Sequence, residues 1–509
     1  MTKPVCTIRI LDEVNCVVLG LSKDHLKILK DKYSPYAEGY FFSKKYKMGV
    51  WDGKISFFSQ GGRTYTRLLE EILPDVYKWG YKINLIDNRP EFKINPPLIE
   101  KDYFKPLNED IQLADHQVNA VNALLSNNGG IVVAATSAGK SYCIAALADV
   151  YQKNYDFKIL IIVPTVDLVV QCRDDFIETF GLDVGEYSGD KKDINHPIII
   201  STWQALGYNL NNTNKNNSSD TLSIMSMLSP DIIIIDECHL TSGKTLKSIL
   251  NDYGTGAKIK IGVTGTLPKN DVDAMSVKVS LGNPIYTVTA KELIDIGWLS
   301  TPDIQILELE EDFKSDYKQF KIECPDQCDK IKSYSQYLDK IFPDYPSEKS
   351  YLNSKKERLE YISGIIQYMR SKEKGNAMVM VNSVALGKKY RELIPNSYFV
   401  DGTDKKKARK EIYQLFTDNN DIVVIATQQL ISTGLNIPRI FHLFMIDSNK
   451  GFIKTIQSIG RGLRKAHDKN SILVIDICSN LKYSKRHKNE RVSHYKEAQY
   501  PYTIRKVKY

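Results

Sequence analysis

Apolar residues change their period several times along the chain, and each change marks an expected element. From residue 131 to about 300, β-branched runs without polar alternation recur as IVVAA, KILIIVPT, PIIIST, DIIIIDE and KIKIGVTGT, separated by helix-length stretches such as KSYCIAALADVYQ, whose pattern reads as amphipathic. Strands apolar on both faces and separated by helices predict a parallel sheet covered on both sides. The rhythm returns at AMVMVNS (377–383), DIVVIAT (421–427), IFHLFMID (440–447) and SILVIDI (471–477), which predicts a second α/β unit. The first 105 residues differ: short aromatic strands, one helical segment SKDHLKILKDKY, and Pro96-Pro97 near their end indicate a small separate α+β domain. The stretch at about 311–355, rich in Lys, Tyr and Asp, shows no period, and NLNNTNKNNSSD (209–220) is a polar loop. The expected divisions are 1–105, 106–298, 299–481 with an insertion at about 311–355, and a basic tail at 482–509.

A chain of 509 residues exceeds one core, in keeping with that division, and 42% hydrophobic with 26% charged residues is a globular balance. Its longest apolar runs are strand-sized, short of the roughly 20 residues that cross a bilayer. The start, MTKPVCTIRILDEV, has no apolar signal core, so a cytoplasmic protein is expected. Eight cysteines are too scattered for a disulfide framework, and the lone pair Cys324 and Cys328 reads better as loop thiols than as a zinc site. Net charge is only +8, but nine Lys/Arg against two acids within 482–509 leave +7 there, which suggests a polyanionic partner.

Candidate chemistry begins at IVVAATSAGKSY (131–142). It fits the phosphate-loop pattern G-x-x-x-x-G-K-[ST] at Gly139, Lys140 and Ser141, with Ala134 in place of the first glycine. A strand, a tight turn and a helix in that order put the amides of Thr136, Ser137, Ala138 and Gly139 at a helix N-terminus, where anions bind. Lys140 would reach the β and γ phosphates of ATP, and the Ser141 hydroxyl would ligate Mg²⁺. About 100 residues on, IIIIDECHL ends an apolar strand in two carboxylates: Asp236 to hold Mg²⁺ and Glu237 to polarise the attacking water. Solvated acids at a strand end are the plainer alternative, but the phosphate loop in the same unit outweighs it.

With these pieces the chain resembles superfamily 2 helicases of the DExH type over roughly 112–465. The resemblance implies two RecA-like parallel-sheet lobes. In LADHQVNAV it gives Gln117 to the adenine, with His116 where many relatives carry an aromatic. VPTVDLVVQ (163–171), with Pro164 and Thr165, and STWQAL (201–206), with Thr202 and Gln204, would line the nucleic-acid track, and TGT (264–266) would couple hydrolysis to it. IATQQLISTGLNIP (425–438) would place Thr427 and Thr433 on nucleic acid and Gly434 at the nucleotide, with Asn436 replacing the usual aspartate. In QSIGRGLR (457–464), Gln457, Arg461 and Arg464 share one helical face, and such arginines act on a γ-phosphate as fingers worth roughly 10³–10⁵ in rate.

The motor's substrate grip is sought outside these motifs. YFFSKKYKMGVWDGKISFFSQGGRTYTR (40–67) holds Lys44, Lys45, Lys47, Lys54, Arg63 and Arg67 against Asp52, interleaved with eight aromatics, among them Trp51. Lysines would meet phosphates and some rings would stack on bases, while about half of the rings are expected in the core. With GVWDGKISF added to TSAGKS and DECHL, nearly the whole chain resembles the UvsW-type helicases of T-even-like phages. That implies ATP-dependent remodelling of branched or forked DNA: branch migration, fork regression, and unwinding of D-loops and R-loops, with RNA–DNA hybrids as further partners. The rival readings are a restriction-system motor, for whose nuclease or coupling domain there is no room here, an RNA helicase, and a binding protein with a vestigial nucleotide site.

Overall fold

Strands β1 (Val5–Ile10), β2 (Asn15–Leu19), β3 (Arg63–Tyr65) and β4 (Lys82–Asp87) form a sheet of order β3-β2-β1-β4, antiparallel except for the β1/β4 pair. Alternation along β1 turns Cys6, Ile8 and Ile10 inward, where helices Lys23–Lys32 and Leu69–Lys78 contribute Leu29, Ile72 and Val76 to the same core. The computed structural model describes residues 3–105, 111–189, 191–207, 224–324, 331–372, 375–400, 414, 418–428, 439–447, 459–460, 463 and 469–509. The chain divides into two compact units, Met1–Val288 and Thr289–Tyr509.

Within the first unit the N-terminal domain is not a separable bead. Its core also takes Val272 and Val279 from helix Asp271–Leu281, which belongs to the following lobe. The segment leading out of it already lies on that lobe: the Asn122 carboxamide bonds both sides of the Ile99 backbone at 2.9 and 3.0 Å, and Tyr103 donates to buried Asp149 at 2.8 Å. Residues 99–103 of the expected N-terminal domain are thus fastened to the following lobe.

The lobe itself comprises β5 (Gly130–Ala134), β6 (Ile159–Val163), β7 (Val184–Ser188), β8 (Lys191–Asp193), β9 (Ile198–Thr202), β10 (Ile232–Asp236), β11 (Ile259–Thr264) and β12 (Pro284–Val288), in the order β12-β5-β11-β10-β6-β9-β7-β8. All its pairs are parallel except β7/β8. Helix Lys140–Tyr155 departs from the amphipathic reading: Cys143 to Tyr151 is buried on every side. The one charge in that run, Asp149, is held by Tyr103 and by Lys153 at 2.7 Å.

The second unit is a parallel sheet of β13 (Thr301–Leu309), β14 (Ala377–Val381), β15 (Ser397–Val400), β16 (Val423–Thr427), β17 (His442–Ile446), β18 (Ser471–Ser479) and β19 (Tyr502–Val507), ordered β15-β16-β14-β17-β18-β13-β19. Here the basic C-terminal segment is corrected from a tail to part of the fold: helix Lys482–Glu497 and the edge strand β19 complete the lobe. Lys488 and Arg491 are buried, the first on Glu308, the second bidentate on Asp476 at 2.9 and 2.7 Å. The periodless insertion folds as helices Lys314–Glu323, Tyr334–Ile341 and Tyr345–Ser354. Its buried Glu348 accepts the first amides of helix Lys482–Glu497, Tyr483 N at 2.9 Å and Ser484 N at 2.6 Å, which is favourable at a helix N-terminus.

Candidate nucleotide and nucleic-acid site

Five neighbouring strands deliver their C-terminal ends to one edge of the first large sheet. The pairs Val133–Thr264, Val263–Asp236, Ile235–Ile162 and Val163–Thr202 set β5, β11, β10, β6 and β9 in step. The segments TSAG, TG, DECH, PTV and WQ thus emerge side by side. In open α/β sheets, ligands bind at this carboxyl edge.

At the phosphate loop, Ala134 is the last residue of β5, buried and paired with Val288, so its methyl is part of the sheet and fills no phosphate space. The chain then turns through Ser137 (φ 69°) and Gly139 (φ 86°) into the helix. Gly139 is required twice over, because a Cβ there would also stand 2.0 Å from Gln117 Nε2. Gln117 is buried, donating to Ala138 O at 3.0 Å and accepting from Ala114 N at 2.9 Å, and His116 Nε2 bonds the same Ala138 carbonyl at 2.9 Å. Each end of the Gln117 carboxamide thus has one backbone partner, which braces the loop, and retains one further N–H and one further lone pair for a ligand such as the expected adenine. Lys140 Nζ lies 3.4 Å from Ala134 O, and 3.6 Å from where a side chain on Gly265 would begin, so the lysine faces the TGT segment. Ser141 is exposed on the first helical turn.

The acidic strand end is wired to the same segment. Glu237 adopts a left-handed backbone (φ 54°), and its amide is accepted by Asp236 Oδ1 at 2.9 Å. Glu237 Oε2 lies 3.2 Å from His239 Nδ1 and 3.3 Å from Thr264 Oγ1, which are themselves 3.0 Å apart. The Thr264 hydroxyl also lies 2.9 Å from Thr266 O, so its single proton serves either that carbonyl or the Glu237 carboxylate. His239 was given no role in the sequence reading. Its signal was the fourth letter of DECH. Burial pushes the Cys143 thiol up to about 12, and burial with the nearby Glu237 and Asp236 raises Cys238 well above its ordinary value, so both are protonated near neutral pH.

On the neighbouring strands, Thr165 and Thr202 are helix N-caps, accepting from Leu168 N at 3.3 Å and Ala205 N at 3.2 Å, and Gln204 donates to Pro164 O at 3.3 Å. Thr202 is buried, so that edge offers helix N-terminal amides more than hydroxyls. In the N-terminal domain Lys44, Lys45, Lys47 and Arg63 are exposed. Lys54 is drawn to Asp31 at 3.7 Å and over the Tyr36 ring, and Trp51 is half-buried with its indole N–H on Lys54 O at 2.8 Å. Of the eight aromatics, Phe57 and Phe58 are buried, and Tyr65 packs against their core. In the second unit Thr427 ends β16, half-buried. Thr433, Gly434, Asn436, Gln457, Arg461, Arg464 and Cys328 lie outside the described residues.

Three families match successive parts of the chain: "DNA helicase UvsW, N-terminal" at 8–87, "Type III restriction enzyme, res subunit" at 110–269, and "Helicase conserved C-terminal domain" at 357–466. The ATP-dependent DNA helicase uvsW of Enterobacteria phage T4 is 27% identical over 94% of this chain and 95% of its own length. Its crystal structure aligns over 99% of both chains with a TM-score of 0.46 at 22% identity. The ATP-dependent Type ISP restriction-modification enzyme LlaBIII bound to DNA aligns over 86% of this chain and 34% of its own at a TM-score of 0.53 and 12% identity, a likeness of fold. Among the described residues no helix is long and apolar enough to cross a membrane. A UvsW N-terminal match followed by two helicase matches runs in one order along the chain, which is an ATP-dependent DNA helicase similar to the UvsW type.

Proposed function

We propose that this helicase spends ATP on remodelling branched DNA: branch migration, fork regression, and the unwinding of D-loops and R-loops during phage replication, recombination and repair in the host cytoplasm. The observation that carries the motor part is the triangle of Glu237, His239 and Thr264, which ties the hydrolytic carboxylate to the TGT segment. The T4 relative and the N-terminal family match support a DNA helicase of the UvsW type, and the branched-DNA part is the extension proposed from that resemblance.

In this reading the amides of Thr136 to Gly139 and the Lys140 ammonium hold the phosphates of ATP, and Gln117 keeps the loop in shape for them. The strands β5 and β10 are separated by β11, so Ser141 and Asp236 start from strands roughly 10 Å apart. That spacing and a set of hard oxygen donors suit Mg²⁺ held between protein and phosphate. When bound, Mg²⁺ would neutralise charge developing on the phosphates. Glu237 orients and polarises the water, while His239 and Thr264 hold its carboxylate in place. Arg461, Arg464 and Gln457 would act on the γ-phosphate from the second lobe. Pro164, Thr165, Thr202, Gln204, Thr427 and Thr433 would follow one strand, with Lys44, Lys45 and Lys47 on flanking phosphates.

The test is turnover and unwinding with linear duplex, forks, Holliday junctions and RNA–DNA hybrids of matched length. Forks and junctions are expected to be processed faster than linear duplex, and Lys140→Ala should abolish turnover while leaving DNA binding near parental. Glu237→Gln should retain bound ATP. Parental hydrolysis by either variant would refute the site, and equal processing of all four substrates would refute the branch preference.

A further inference from the structure

Residues 36–54 leave the N-terminal domain as a closed excursion with a pinned neck. Tyr36 and Lys54 form an antiparallel bridge, Ala37 N donates to Gly53 O at 2.8 Å, and Ile55 N donates to Pro35 O at 3.0 Å. Trp51 and Asp52 add their bonds to the Lys54 backbone, at 2.8 and 3.0 Å. From this neck a ladder of rings runs outward: Tyr36 stacks on Tyr40 at 4.7 Å, Tyr40 meets Phe41 edge-on at 5.6 Å, and Phe41 lies 4.3 Å from Phe42. Gly53 makes room for it, since at φ 81° a Cβ would sit 2.5 Å from the Tyr40 ring.

At the far end the usual pattern inverts. Phe42, Met48 and Val50 are 73%, 74% and 73% exposed, and Phe41 is 51% exposed. A hydrogen-bonded loop that holds four large apolar side chains in water marks a binding surface. The same stretch, GYFFSKKYKMGVW (39–51), carries three lysines and no acid. Those lysines, Lys44, Lys45 and Lys47, share one exposed helical turn and make no ion pair among the described residues. Flat apolar faces beside positive charge complement a nucleobase flanked by phosphates. A continuous duplex hides its base faces in the stack. They become available where the stack is interrupted, as at a branch.

We propose that the 36–54 loop reads the branch point: Phe41 and Phe42 cover the base exposed at the junction, and Lys44, Lys45 and Lys47 hold the phosphates beside it. This rests on the branched-DNA reading above and names the feature of the branch that is recognised. Apolar wedges at base steps are an established way for proteins to hold distorted DNA.

The test uses the full chain, a fork with 2-aminopurine at the first unpaired position, and a linear duplex of equal length. The parent should bind the fork more tightly and change the 2-aminopurine fluorescence. Phe41→Leu/Phe42→Leu keeps apolar bulk but removes stacking, and should lose the fluorescence change and about 5- to 150-fold in fork affinity. Its linear-duplex affinity, basal ATPase and circular dichroism should stay parental, because both rings lie outside the core. Phe42→Trp should retain the parental signal. If the leucine pair keeps the fork affinity and the signal, the proposal fails and the apolar tip is left to a protein partner. If the parent itself shows no preference for the fork, the branched-DNA reading fails instead, whatever the variants do.

Discussion

Gly139→Ala perturbs the nucleotide loop at one methyl group, and its consequences can be worked from geometry. The new Cβ would stand 2.0 Å from Gln117 Nε2, 3.2 Å from its Cδ and 3.9 Å from its Cγ, with nothing else among the nearest atoms. At φ 86° an alanine is also strained by roughly 1–2 kcal/mol. To clear the methyl, the Gln117 carboxamide must leave, breaking its bonds to Ala138 O and Ala114 N in a buried site. At about 1 kcal/mol each that adds roughly 2 kcal/mol, for a total of about 3–4 kcal/mol. In a Gln117→Ala background the three nearest contacts of the new methyl disappear, so the same substitution should cost only its backbone strain. A double-mutant cycle on urea unfolding of the ATP-binding unit should therefore give a coupling near 2 kcal/mol, with the double variant more stable than the sum of the singles implies. Costs that add to within about 0.5 kcal/mol would refute the brace.

Other outcomes follow from the same structure. Lys260 is buried, with Nζ on Leu250 O at 3.0 Å, and burial lowers it from 10.5 to about 8. Asp12 and Glu13 oppose that shift, while Arg67 adds to it. Below about pH 8 both folded and unfolded chains carry the proton and the penalty is complete. Between about 8 and 10.5 the unfolded chain binds more protons, so this group should add stability as pH rises, on the order of 3 kcal/mol in all. Lys260→Met should flatten that rise in denaturant titrations from pH 7 to 10, and an unchanged slope would count against it. His239→Ala should leave ATP binding intact but lower the DNA-stimulated turnover and, more steeply, unwinding per ATP; parental coupling would remove the histidine from the mechanism. Removal of residues 1–105 should lower the melting temperature of the remaining motor, because it uncovers Val272 and Val279 and strips Ile99 and Phe104 from the lobe; a truncated chain as stable as the parent would refute the shared core.

The sheets were legible because parallel strands covered on both faces leave an uninterrupted apolar signature: β6 (ILIIV) is buried at every position, and β10 (IIIID) at all but its last. The loop and the two carboxylates were legible because their chemistry sits within a few consecutive residues. What distance in the chain separates was not. Gln117 meets Ala138 across 21 positions and Glu237 meets Thr264 across 27, so neither the brace nor the triangle leaves a local pattern. Period also failed on the insertion, since helix Lys314–Glu323 buries none of its residues and so has no apolar stripe to show. In the N-terminal domain, aromatic alternation could not say which rings turn outward: Trp51 is half-buried with its indole N–H at the neck, while Phe41 and Phe42 are displayed.

Charge was the least reliable guide, and the C-terminal segment shows why. A cation read in sequence defaults to the surface, because burial without partners would cost several kcal/mol. Lys488 and Arg491 escape that cost through Glu308 and Asp476, which lie 180 and 15 positions away, and Tyr495 completes Asp476 at 2.8 Å. The other cations are partly spent too: Lys482 pairs with Asp339 at 2.6 Å, and Arg486 with Glu490 at 3.4 Å. Removing Arg491 would leave Asp476 buried and unpaired, a loss of roughly 3–5 kcal/mol that any binding assay would report as weakened DNA contact. The same alanine scan along this segment thus reads the fold at Lys488 and Arg491 and can read a polyanion only at exposed positions such as Arg505 and Lys506. Lys44, Lys45 and Lys47 in the 36–54 loop have no such double duty among the described residues. Their charge is available to a phosphate in full, which is why the case for substrate grip rests on that loop and not on the more basic end of the chain.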